Sequence, residues 1–74
     1  MDNLLAKFSY NLKSLRKEKD VSLRDLGRAT GISKSALHQY EKGSADPSLS
    51  NLVRIANYFN KSITWLIGED EAAK

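Results

Sequence analysis

Seventy-four residues, with 12 Lys and Arg against 9 Asp and Glu, make a basic chain of net charge +3 and pI near 9.3, with room for one modest core and no second folded unit. The absence of cysteine excludes disulfides and thiolate metal sites, and a single histidine among dispersed acids offers no catalytic constellation, so a non-enzymatic role without cofactor or metal is expected. No apolar run reaches the length of a signal-peptide core or a membrane span, which points to a cytoplasmic protein with no membrane partner.

The charge is unevenly placed. Glu69, Asp70 and Glu71 against Lys74 leave the last six residues at −2, so residues 1–68 carry +5. Residues 1–68 read as the folded domain and 69–74 as an acidic tail or the start of a linker. A basic folded part fits a polyanionic partner, because Lys and Arg that neutralise phosphates release condensed counterions.

In chain order, Asp2 or Asn3 can cap a first helix on which Leu5, Phe8, Leu12 and Leu15 recur at helical spacing, with Lys7, Asn11, Lys13, Ser14 and Lys17 on the remainder. Ser22, three residues before Asp25, resembles a capping box and predicts a second helix from about Leu23. Leu23, Leu26 and Ala29 are spaced for its apolar stripe, and Gly31 supplies a left-handed stop. Ile32 turns inward and Ser33 caps a third helix. At about 100° per residue, Lys34, Ser35, His38, Gln39 and Lys42 share an arc of about 140° there, opposite Ala36, Leu37 and Tyr40. Asp46 and Pro47 mark a turn. Ser48 then caps a fourth helix with Leu49, Leu52, Val53, Ile55, Ala56 and Phe59 inward, and Ser62 caps a short fifth, Ile63 to Ile67, closed by Gly68. Five helices without a strand pattern predict an all-α domain.

Two short helices about a glycine, the second with a polar face, are a device for presenting a helix to a DNA groove. Leu26, Ala29, Gly31, Ile32, Ser33, Leu37, Glu41 and Gly43, with Pro47, Leu49, Leu52, Ile55, Ala56, Trp65 and Leu66, resemble the Cro/CI-type helix-turn-helix domains of the XRE family. The resemblance spans nearly the whole chain. It implies a compact five-helix, lambda-repressor-like fold with helices 2 and 3 as the motif, and residues 33–42 as the helix that enters the major groove.

The resemblance also distributes roles. Lys34, Ser35 and Gln39 stand where relatives touch base edges, with His38 at the edge of the same face. Lysine suits guanine O6 and N7, and glutamine suits adenine N6 and N7. Ser33 and Lys42, at the two ends of the helix, suit backbone phosphates. Ser22 and the Leu23 amide form a further phosphate site at a helix start, although Leu23 replaces the glutamine commonest there. Gly27 replaces a more usual alanine. Arg16 and Glu41 match a pair that in some relatives orients the reading helix and leaves the guanidinium near a phosphate. Ile63, Trp65 and Ile67, with the loop from Ser44 to Leu49, match the usual dimer contact region.

The function these roles imply is a sequence-specific double-stranded DNA-binding regulator, acting as a homodimer on a palindromic operator without a small-molecule ligand. Repression is expected over activation, since Arg24 and Arg28 flank Asp25 where activating relatives carry an acidic patch. An antitoxin or restriction-modification controller would share the DNA chemistry, and a protein-interaction module would share only the fold.

Overall fold

The computed structural model describes residues 4–69, which form five helices and, among those residues, no strand: α1 (Leu4–Lys19), α2 (Leu23–Thr30), α3 (Lys34–Lys42), α4 (Leu49–Phe59) and α5 (Ile63–Leu66). The expected caps at Asp2 or Asn3 and the tail beyond Glu69 lie outside the described residues.

Serine starts four of the five helices. Ser22, Ser33, Ser48 and Ser62 each take extended backbone angles and accept the amide of the residue three positions on, at 3.0 to 3.1 Å. Each satisfies one of the amides that a helix start leaves without a partner. The ends are equally local. Gly31 closes α2 at φ 77°, a left-handed conformation that costs an L-residue about 1–2 kcal/mol, and sends its amide to the Gly27 carbonyl at 2.8 Å. Asp20 and Asn60 take the same conformation after α1 and α4, at φ 59° and 58°. Asn and Asp tolerate it because a short polar side chain can bond locally.

Phe8, Leu12, Leu15, Leu26, Ile32, Leu37, Tyr40, Ile55, Ala56 and Leu66 form one buried cluster drawn from all five helices and the α2–α3 turn. Three apolar assignments made from spacing fail against it. Ala29 is exposed and Thr30 takes the inward place, because Thr30 lies about 40° from Leu26 around α2 and Ala29 about 60° away on the other flank. The threonine pays no desolvation penalty: its hydroxyl donates to the Leu26 carbonyl at 2.7 Å and accepts the Ile32 amide at 3.3 Å. Leu49 and Val53 are 71% and 40% exposed. On α4 they stand about 70° and 110° from the centre of the stripe made by Leu52, Ile55, Ala56 and Phe59. The fifth helix also stops one residue earlier than its pattern predicts, at Leu66.

Gly27 sits where α2 approaches the start of α3. A Cβ there would stand 2.8 Å from the Ile32 carbonyl oxygen, a backbone atom, and 3.8 Å from a Leu37 methyl. The departure from alanine therefore has a local cause: this turn is drawn in too tightly for a methyl group.

Candidate nucleic-acid interface

The inner side of α3 is fixed by α1 and α4. Leu37 is fully buried and Tyr40 nearly so, and the Tyr40 ring meets Phe8 of α1 edge to face at 5.7 Å between centroids. Ser9 of α1, itself buried, donates to the Tyr40 carbonyl at 2.6 Å, and Asn51 of α4 donates to the Tyr40 hydroxyl at 2.9 Å. Arg16 of α1 grips Glu41 with two bonds, Nε to Oε2 at 2.6 Å and Nη2 to Oε1 at 3.1 Å, while Nη1 donates to the Val21 carbonyl at 3.0 Å. The Glu41 side chain is only 6% exposed. The Glu41 carboxylate, chiefly by hydrogen bonding, holds the Arg16 guanidinium above the usual arginine value despite its partial burial. A charged pair so placed fixes direction, since a two-pronged bond between planar groups tolerates little rotation.

With that side anchored, the other faces solvent. Lys34, Ser35, His38, Gln39 and Lys42 are all exposed, and Ala36 is half-buried against the core. The five polar side chains proposed from spacing are thus brought together on one outward stripe, two amines and an imidazole beside an amide and a hydroxyl. Ser33 and Ser22 are exposed, and each accepts a backbone amide, which leaves the hydroxyl hydrogen to donate outward. Leu23 is half-buried against the core, so its side chain serves packing while its amide lies at the α2 start. Arg16 keeps two guanidinium N–H groups beyond the three bonds it makes, and its side chain is 17% exposed.

Ile63, Trp65 and Ile67 are half-buried and pack on the core, with the Lys61 ammonium 4.7 Å from the Trp65 ring centroid. Ser9 and Asn51 escaped the sequence reading as anchors of α3. Their spacing carries no signal, because each bond joins residues brought together only by the fold. Arg54 of α4 is another such case: a Cβ on Gly31 would lie 3.5 Å from its Nη1, placing a cation at the α2–α3 turn.

A family model described as helix-turn-helix matches residues 12–66, from the middle of α1 to the end of α5. The chain belongs to the XRE-type helix-turn-helix family. The helix-turn-helix is α2, the Gly31 turn and α3. Among curated proteins the chain is 36% identical over 73 residues to the HTH-type transcriptional regulator SutR of Escherichia coli K12, covering 99% of this chain and 41% of that protein. It is 38% identical over 61 residues to the antitoxin PezA of Streptococcus pneumoniae, covering 82% and 39%. It is 28% identical over 64 residues to the cryptic phage CTXphi transcriptional repressor RstR of Vibrio cholerae, covering 86% and 58%. The chain therefore spans about two fifths of the first two relatives. Among solved structures, the restriction-modification controller protein C.AhdI of Aeromonas hydrophila superposes with a TM-score of 0.77 at 29% identity, covering 84% of this chain and 94% of that one. This helix-turn-helix domain, helical throughout its regular structure among the described residues, thus shares its fold with a controller and is similar in sequence to transcriptional regulators. No helix among the described residues is long and apolar enough to cross a membrane.

Proposed function

We propose that this helix-turn-helix domain is the operator-reading unit of a cytoplasmic, bacterial or phage-encoded repressor, binding palindromic double-stranded DNA as a homodimer with one α3 in each half-site. It is a binding module and not a catalyst. The observation that carries the reading is the division of α3: Leu37, Tyr40 and Glu41 are tied into the core, and Lys34, Ser35, His38, Gln39 and Lys42 are left facing outward. A helix held on one side and polar on the other suits a groove in which base edges offer donors and acceptors in a fixed pattern. In this reading Lys34 favours guanine, Gln39 favours adenine, Ser35 and His38 support them, and Ser22, Leu23, Ser33, Lys42 and Arg16 hold phosphates.

A second copy is expected against Leu49 and Val53, whose exposure supplies apolar area in addition to that of Ile63, Trp65 and Ile67. A restriction-modification controller is the second reading. It is favoured by the superposition on the controller protein C.AhdI at a TM-score of 0.77.

Selection from a random duplex library at near-physiological salt tests the proposal. The wild type should enrich a two-fold symmetric motif, and Lys34→Ala and Gln39→Ala should each relax one half-site position, at a loss of about 1–3 kcal/mol. No enriched motif, or one indifferent to both substitutions, overturns it.

A further inference from the structure

The end of α3 contains a side-chain contact that the fold does not require. Gly43, at φ 75°, turns the chain so that its amide reaches the Tyr40 carbonyl at 3.2 Å, and the next amide, that of Ser44, reaches the Gln39 carbonyl at 3.0 Å. This pair of bonds sets the residue after the left-handed turn directly beside the side chain five positions earlier, where an apolar contact is common. Here both residues are polar. The Ser44 hydroxyl donates to the Gln39 side-chain oxygen Oε1 and also lies 3.4 Å from the Gln39 carbonyl. Both acceptors within its reach belong to Gln39.

We infer that Ser44 is a positioning residue for base recognition: its hydroxyl pins the Gln39 amide in one orientation and so sets the preference at the base that Gln39 reads. This rests on the reading of α3 as the groove-entering helix. A glutamine amide has a donor end and an acceptor end of nearly equal size, and on an exposed helix face its terminal torsion is broad. Pairing with adenine needs Nε2 aimed at N7 and Oε1 at the N6 amine, and the flipped amide meets both with the wrong polarity. A hydroxyl donating to Oε1 occupies one of its two lone pairs, leaves the other for the adenine amine, and holds Nε2 as the free donor. Ordering the side chain before DNA arrives also removes part of the immobilisation cost that every flexible contact residue carries on binding. Ser44 is exposed and lies outside α3, so it can act on Gln39 without contributing to the core.

The test is a binding-site selection and affinity series on the full chain with Ser44→Ala, Ser44→Thr, Gln39→Ala and the Ser44→Ala/Gln39→Ala double variant. Ser44→Ala should lower discrimination at the Gln39 position roughly three- to ten-fold and leave every other position unchanged. Ser44→Thr, which keeps a hydroxyl, should restore it. In the Gln39→Ala background the serine substitution should have no further effect on the profile. A uniform loss across all positions would make Ser44 a phosphate contact and overturn the inference, as would an unchanged profile while Gln39→Ala still relaxes its position. If the wild type enriches no motif, the groove-entering reading fails and the inference falls with it, so the two failures are told apart by the wild-type result.

Discussion

The buried flank of α3 and the outer surface here called the rim, meaning the first turn of α4 and the whole of α5, are held by different chemistry. On the flank, an ion pair, an interhelical hydroxyl bond, a tyrosine clamped at both ring and hydroxyl, and a fully buried leucine all act on nine residues. On the rim, Leu66 alone is fully buried. The four-residue α5 is finished by the Asn11 amide, which donates to the Trp65 and Leu66 carbonyls at 3.2 and 2.9 Å, and by an exposed Lys7–Glu69 pair at 3.8 Å. An exposed pair of that kind contributes little. The proposed function accounts for the contrast through positioning tolerances. Reading a base edge would need side chains held to within about half an ångström, whereas an apolar surface meeting a second copy would need area more than exact direction.

The largest effect should come from breaking the flank. Arg16→Met removes both hydrogen-bond donors to a carboxylate that is 6% exposed and should cost about 3 kcal/mol in a urea titration, with DNA affinity falling as α3 loses its orientation. Glu41→Gln should cost less, about 2 kcal/mol, because the amide oxygen can still accept one guanidinium N–H while the amide NH2 cannot accept the other. The raised arginine value also fixes the sign of the pH response. Stability from a cation whose folded pKa is raised is present below the value it has in the unfolded chain and is lost only as pH rises through the folded one. The gap between wild type and Arg16→Met should therefore be flat between about pH 6 and pH 9. A stability gap that closed within that range would show that something other than the guanidinium carries the bond.

A smaller effect is expected at the approach of α2 to α3. Gly27→Ala gains up to about 1 kcal/mol in helix propensity but sets a methyl 2.8 Å from the Ile32 oxygen, and overpacking against backbone typically costs about 1–3 kcal/mol. A net loss of about 1–2 kcal/mol on thermal or urea unfolding is the expected outcome. A net gain would mean that the turn can widen, and that α3 is held by its flank contacts alone.

These two sites also mark how far the sequence could be read. The helix starts were legible because a serine cap is a local device: Ser22, Ser33, Ser48 and Ser62 act within three residues of themselves. The buried faces of α1 and α3 followed from periodicity for the same reason. What failed was width. Spacing alone made Ala29, Leu49 and Val53 apolar members of stripes, and only the position of the neighbouring helices decides how much of an arc is covered. The candidate site divided in the same way. The outward residues of α3 could be proposed from 100° steps, whereas the bonds from Ser9 and Asn51 join partners that no periodicity pairs. Arg16 and Glu41, 25 residues apart, were connected by family resemblance and not by any rule of spacing.

The smallest expected change in stability is the one that isolates the rim. Leu49 is 71% exposed in the first turn of α4, so Leu49→Ser removes almost no buried area and should shift unfolding by less than about 0.5 kcal/mol. If a second copy docks there, the same substitution should weaken binding to a full palindrome while leaving affinity for an isolated half-site unchanged, because α3 and its anchors are untouched. Comparing the two duplexes by titration separates the roles directly. Equal losses on both would place Leu49 at the DNA, and no loss on either would move the dimer contact to Ile63, Trp65 and Ile67, whose half-buried side chains would then have to serve the core and the partner at once.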